Sequence, residues 1–395
     1  VTSVPEILQF SIRSARHCPA WLSGAESIDG FRRTACWKAF FGYLIDVSTQ
    51  VAPRDVRGRD EPLSRWSRPA TVKSPSAVSR FCNHYSWNIR AVIRAMRQHA
   101  LDEFERFRRV PYSHQQRLEL IVDMTSLHKE GKFEQLEPWI HRFNGVNGVH
   151  LVVLYLCHGS RRFPWSFLVW RGKGQPSPAD LALKMLTRLP DELVKRHSRV
   201  PLVLADAGFC SKAFIAGVVQ LGLKVSITIP SNRVTAQGHP IGQVTRQRQA
   251  ITLPGLPDLR LWLYWVWLSN SGDGTRKKRY VISTLNVVPD TIRANGRKRW
   301  RIEALFKTLK SRFGLHRSGQ YTKRGMLRYC CLCFLSDVLC HLETLEDASA
   351  SARVWPDWRA VAQQLRRKYC GLVRLSELRK EIQTIEDVLD CVLLI

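Results

Sequence analysis

Acidic residues are scarce in this sequence. Only 33 Asp and Glu stand against 61 Lys and Arg over 395 residues, leaving a formal charge of +28 and a pI near 10.2. An excess of that size exceeds what solubility needs and points to a polyanionic partner. The basic residues run near both ends and between them, so they are not one appended tail. Paired cysteine spacing is also missing, although there are 11 cysteines. That excludes a disulfide scaffold, and with no signal-peptide pattern at the start, reduced thiols in a cytoplasm are expected. Long uninterrupted apolar runs are absent as well. The most apolar stretch, MLRYCCLCFLSDVLCHL, is broken by Arg328 and Asp337 and predicts a buried helix, not a bilayer span. No amphipathic membrane helix or juxtamembrane basic cluster stands out, so nucleic acid is favoured over a membrane as the polyanion. Internal repeats and low-complexity tracts are lacking too.

What is present suits a folded protein. Apolar residues make up 45% of the chain and there are 13 Trp, enough for a sizeable core and two or three folding units. Cys330, Cys331, Cys333 and Cys340 with His341 could ligate zinc. No second closely spaced pair completes a tetrahedral site, and buried thiols are the plainer reading.

Residues 1–110 read as helical, with TACWKAFFGYLIDV of helical length and APRDVRGRDEPLSRWSRP as a linker or exposed loop. Ser74 and Pro75 then open a short helix to about Asn83, and a long helix follows from about Trp87. On it Arg90, Arg94 and Arg97 recur at spacings of four and three and share a face. That face either lies along phosphates or is a solvated surface. Beyond residue 115 the pattern turns to strands: LELIVDM, GVHLVVLYLC and FPWSFLVWR, the last two joined by HGSRR. SPADLALKMLTRL is a helix with a capping box at Ser177 and Asp180, VPLVLAD a strand, KAFIAGVVQLG a helix and LKVSITI a strand. The order is β-β-β-α-β-α-β, with acids ending the first and fourth strands. Residues 230–289 look β-rich, with turn chemistry at SGDGT, and a helical pattern fills the remainder.

Between Arg293 and Arg328 stand twelve Lys or Arg and one acid, Glu303. By itself Glu303 reads as a helical ion pair with Arg299 or Lys307. Asp123 and Asp206, each at the end of an apolar strand, read as caps of the next turn. Together the three acids read differently. An ionised carboxylate beside an apolar strand is costly unless paired or metal-bound, and strand ends on one sheet edge can meet an acid from a flanking helix. Three oxygen donors suit Mg²⁺ or Mn²⁺, and two such ions could serve an in-line displacement at phosphorus. Arg299, Glu303 and Lys310 share a helix face, so basic neighbours would flank the carboxylate.

The order Asp, Asp, β-rich insertion, Glu resembles the DDE transposases of bacterial insertion sequences. It is most similar to the insertion-sequence-four-like group, with the motif Tyr-x2-Arg-x3-Glu-x6-Lys. Arg299, Glu303 and Lys310 match that motif, within the wording RWRIE; DAGF at Asp206 and VDMTSLHKEGK at Asp123 resemble the other two motifs. Gly296 stands where the motif has its tyrosine. The resemblance implies an α/β, RNase H-like mixed-sheet core interrupted by a β-rich insertion, with helical regions on either side. It divides the chain into a helical DNA-binding domain (1–112), a first core part (113–229), the insertion (230–290), a second core part (291–325) and a C-terminal helical region (326–395).

The implied site comprises Asp123, Asp206 and Glu303 as catalytic residues and metal ligands, with two Mg²⁺ or Mn²⁺. Arg299, Arg301, Lys307, Lys310, Arg90, Arg94 and Arg97 would contact DNA. The implied reaction is water attack at the element's end to free a 3′-OH, a hairpin on the opposite strand, then attack on target DNA. Partners are double-stranded DNA and a second copy of the chain in a synaptic dimer, in a bacterial cytoplasm at the nucleoid. Trp262, Trp265 and Trp267 would stack on a flipped base, or belong to the core as alternating strand aromatics usually do. A nuclease that cuts without joining, and an inactivated or domesticated DNA-binding copy, remain as alternatives.

Overall fold

The computed structural model describes residues 75–85, 87–195, 198–269 and 276–346, with Val361 and Gln383 besides. The helix expected over 34–47, the linker after it, Ser74, the SGDGT turn and most of the sequence beyond 346 lie outside the described residues. The chain divides into two compact units, Arg94–Lys307 and a second comprising residues up to Ile93 together with those from Thr308.

The first unit is built on one nine-stranded sheet. Strands β1 (Glu119–His128), β2 (Ile140–Phe143), β3 (Val146–His158) and β4 (Arg161–Trp170) pair antiparallel around β3. Strands β5 (Leu202–Ala205) and β6 (Lys224–Ile229) add parallel to β1. The order β4-β3-β1-β5-β6 is three antiparallel strands followed by two parallel ones, the RNase H-like mixed sheet. Parallel neighbours need crossovers. Helices α3 (Pro178–Leu186), α4 (Asp191–Val194) and α5 (Lys212–Gln220) lie in the connections. The capping box at Ser177 and Asp180 forms as its spacing dictates, and α3 packs on β3, β4 and α5. Nearly all of β3 and the whole of β5 are buried, which is why they read as apolar runs without alternation. Gly159 turns β3 into β4 at φ +63°, where a Cβ would stand 2.4 Å from the Phe107 ring.

The β-rich stretch continues the same sheet. Strands β7 (Gln249–Leu253), β8 (Leu256–Ser269) and β9 (Arg276–Ser283) form an antiparallel run whose last member pairs with β6. Buried Tyr264 on β8 places its hydroxyl against the carbonyls of Leu285 and Val287 and accepts from the Val287 N–H. It therefore holds the entry to helix α6 (Pro289–Arg299). Pro289 opens α6, Asp290 lies in its first turn, and Arg297, Lys298 and Arg299 fill its last, each favourable to the helix dipole. Helix α7 (Arg301–Ser311) follows after Trp300 alone and begins with Glu303 in its first turn.

A buried histidine gives this unit one acid-sensitive contribution. His158 ends β3 against the Phe107 ring, at 4.8 Å between centroids, and burial pushes its pKa down to about 4. Between the unfolded value near 6.5 and about 4 the unfolded chain binds the extra proton, so the His158 contribution to stability falls as pH falls through that window, while Asp123, raised to about 6, contributes in the opposite sense. The loss from His158 should reach about 3 kcal/mol by pH 4. Urea titrations at pH 7 and pH 4.5 should show His158→Gln gaining stability relative to the parent at the lower pH; an unchanged gap between the two would exclude His158 as the source.

In the second unit, helix α1 (Pro75–Asn83) packs against α8 (Lys323–Glu346), the apolar stretch read as a buried helix. A window of α8 is apolar and long enough to cross a membrane, yet 94% of it is buried inside the fold. Both polar interruptions are accounted for. Arg328 donates to the carbonyls of Cys82, Tyr85 and Trp87 in the turn that leads from α1 into helix α2 (Ile89–Arg108). Asp337 is buried, and that burial raises its pKa to about 7. Asn83, the last residue of α1, adds to the same end, donating to the Gln320 side chain and accepting from the Thr322 hydroxyl. The α8 cysteines are buried, and burial raises the Cys333 and Cys340 thiols well above their ordinary value.

Candidate active site

Strand β1 does not end at Asp123, as its apolar run suggested. It continues to His128 because β3 is long enough to pair with it throughout, and Asp123 faces Val153 there. On the other side, the parallel pairing with β5 stops at Ile121 opposite Leu204. Two residues further along that register stand Asp123 and Asp206. Even spacing puts each on the same sheet face as its paired neighbour, so the two carboxylates are brought side by side. Asp206 also caps the short turn Ala207–Phe209, accepting from the Gly208 N–H at 2.9 Å. The capping reading is thus met, in a residue that also stands beside Asp123.

Burial first, and then the Asp206 charge, raise Asp123 to about 6, against the pull of the Met124 N–H and Arg299; Glu303 adds to the rise. Three acids far apart in sequence thus act on one another. Arg299 links two of them: its guanidinium donates to Asp123 Oδ2 at 3.0 Å and to Glu303 Oε1 at 2.7 Å. The Arg299–Glu303 ion pair anticipated from spacing forms, but across the α6–α7 junction at Trp300 and not within one continuous helix, and Arg299 reaches on to Asp123.

Among the described residues, no three His, Cys, Asp or Glu side chains already converge tightly enough to grip an ion. The donor set still suits one. It offers hard carboxylate oxygens, crowded enough to disfavour the ionised form of Asp123, with a guanidinium standing between two of them as the cation. The residues present fit a divalent ion such as Mg²⁺ or Mn²⁺.

The basic residues separate into groups. Arg90 and Arg94 are exposed on α2, whereas Arg97 lays its guanidinium over the Trp165 ring and donates to the Trp165 carbonyl. Lys307 is exposed on α7; Lys310 is half-buried, and burial lowers its pKa. Arg301 turns inward to a buried carboxylate, Glu119, which also receives Lys298. Glu119 was not singled out from sequence. The available signal was an acid four residues before Asp123, inside an apolar strand of an acid-poor chain.

The tryptophans divide by strand parity. Trp265 and Trp267 share one face of β8 and Trp262 takes the other. Trp265 is buried against Tyr280, Trp262 stacks with Arg260, and Trp267 is 55% exposed with Lys278 over its ring. At Gly296, where the motif has its tyrosine, the backbone is exposed and a Cβ would meet nothing within 4 Å.

An RNase H-like sheet with two carboxylates side by side on neighbouring strands, and a third linked through the following helix, defines the class of protein. Residues 114–337, more than half of the chain, match the family described as the transposase DDE domain, and the chain belongs to that family. Among solved structures it is similar to the piggyBac transposase in a synaptic complex with hairpin DNA, determined by cryo-EM. The two share 14% identity with a TM-score of 0.52, over 87% of this chain and 72% of that one. That likeness is one of fold. A search of curated proteins finds no match.

Proposed function

We propose that this chain is a cut-and-paste DNA transposase of the insertion-sequence-four-like group. It binds the terminal inverted repeats of a bacterial insertion sequence, cleaves there and joins the freed end to target DNA. The observation that carries the reading is the β1–β5 register, which sets Asp123 beside Asp206, together with Arg299, which ties Asp123 to Glu303 on the following helix. Asp123, Asp206 and Glu303 would hold the divalent ions. Bound there, such ions supply charge neutralisation at phosphorus and activation of the attacking oxygen. The chain's own residues orient the strand: Lys307 and Lys310 beside Glu303, and Arg90 and Arg94 on α2, suit backbone phosphates. Arg299 has a second use as a phosphate ligand once its carboxylates are neutralised. A second copy of the chain would complete the synaptic assembly, in a cytoplasm at the nucleoid.

Of the three β8 tryptophans, Trp267 suits base stacking because it is exposed and has a cation beside it. Trp267→Ala should weaken binding to a hairpin end by about 1–3 kcal/mol while leaving the urea midpoint unchanged. Trp265→Ala should instead destabilise the fold. Equal binding by the parent and Trp267→Ala would remove Trp267 from this role. Gly296→Tyr should be accommodated without strain and stabilise α6 by about 0.5 kcal/mol, since glycine is a poor helix former. It should also tighten binding to transposon ends; weaker binding would count against the motif alignment.

The decisive experiment incubates the full chain with the DNA ends that border its gene, target plasmid, and Mg²⁺ or Mn²⁺. Cleaved and joined products that disappear with Asp123→Asn support the proposal. Cleavage without joining of pre-cut ends would make the chain a nuclease, and specific binding without any metal-dependent product would make it a DNA-binding relic. Binding in any of these cases should weaken steeply with salt, given the +28 charge.

A further inference from the structure

Lys298, Arg299 and Arg301 lie within four consecutive residues at the α6–α7 junction, yet their side chains go two ways. Arg299 turns to Asp123 and Glu303. Lys298 and Arg301 both reach Glu119, at 2.5 Å to Oε1 and 3.2 Å to Oε2, one cation for each oxygen. Glu119 is the first residue of β1, and its side chain is only 3% exposed. A carboxylate so deeply buried persists only when paired, and removing one partner leaves an uncompensated charge. Glu119 and Asp123 are four residues apart on one strand, hence on the same face and about 13 Å from each other. The junction is therefore tied to β1 at two points along its length. One tie point fixes position but leaves rotation free; two also fix the rotation of α7 about its axis. Glu303 is only two residues beyond Arg301 and follows that rotation.

We infer that Glu119 is a positioning residue for the active site: by gripping Lys298 and Arg301 it sets the angle at which Glu303 is presented to Asp123 and Asp206. The inference rests on reading those three acids as metal ligands. It also gives Arg301 a use within the chain, beside the DNA contact expected of it from sequence.

Mn²⁺ binding to the full chain without DNA, followed by electron paramagnetic resonance, tests this apart from catalysis. Glu119→Gln should bind Mn²⁺ at least about tenfold more weakly than the parent, as loss of a group that orients a metal ligand does. Affinity for DNA ends should stay within about twofold. The double variant Lys298→Met, Arg301→Met should show the same loss, and adding Glu119→Gln to it should cause no further loss, because the three side chains act as one unit. Unchanged Mn²⁺ affinity in a folded Glu119→Gln chain, or losses that add, would overturn the positioning role. If Glu119→Gln does not fold, the double variant carries the test, with unchanged affinity again overturning it. Asp123→Asn serves as control: a parent that binds Mn²⁺ no better than Asp123→Asn would sink the metal-site reading itself.

Discussion

Replacing Arg328 by alanine should cost the fold about 3–5 kcal/mol, read as a lower urea midpoint with an unchanged slope. The guanidinium donates to three backbone carbonyls, Cys82 at 3.0 Å, Tyr85 at 2.7 Å and Trp87 at 2.8 Å, and lies 4.5 Å over the Trp87 ring. Burial lowers its pKa to about 10, so it is still a cation at neutral pH. Alanine would remove a charge-assisted donor set and leave buried carbonyls without partners, the costlier half of losing a hydrogen bond. Arg328→Lys should recover only part of the loss, because an ammonium lacks the planar fork that spans carbonyls on two sides. If the alanine variant unfolded within about 1 kcal/mol of the parent, Arg328 would not be what ties α8 to the turn after α1.

Asp123→Asn should move activity and stability in opposite directions. Cleavage of transposon ends should fall by about 10³-fold or more, since metal-assisted charge stabilisation supplies several kcal/mol of the barrier. In the absence of metal the same variant should be more stable than the parent, by an amount on the order of 1–3 kcal/mol. The physical cause is crowding. Asp123 is nearly buried beside Asp206, and its raised pKa reports that the folded state disfavours its charge. Adding Mn²⁺ should raise the melting temperature of the parent and leave that of Asp123→Asn nearly unchanged, because only the parent gains a ligand that binds the native state. A variant less stable than the parent without metal would mean that the ion pair with Arg299 outweighs the repulsion from Asp206.

Much of the core was legible because burial leaves a direct trace in composition. The runs around Leu120, Leu154 and Val203 are apolar without alternation, as strands covered on both faces must be. Ser177 and Asp180 announced the start of α3 through chemistry confined to one turn. Pro75 and Asn83 bounded α1 in the same local way. The end of β1 was misplaced because a strand's length depends on its partner. Only β3, itself thirteen residues long, keeps β1 paired past Asp123. Aromatic content could not separate Trp265 from Trp267, which share a face of β8 yet are 9% and 55% exposed, since exposure depends on what tertiary structure covers each position.

The sequence by itself determined the local and additive properties. Strand and helix identities followed from periodicity and capping, the expectation of a polyanionic partner from net charge, and the choice of three candidate acids from their placement in motifs that resemble the Asp, Asp, Glu pattern. Tertiary structure alone decided which charges meet. The β1–β5 register placed Asp123 beside Asp206, the α6–α7 junction gave Arg299 to the site acids, and buried Glu119 took Lys298 and Arg301. Coulomb and desolvation energies depend on distance and burial, and sequence separation specifies neither. Three cations within four residues look alike in the chain; folding gives them different partners.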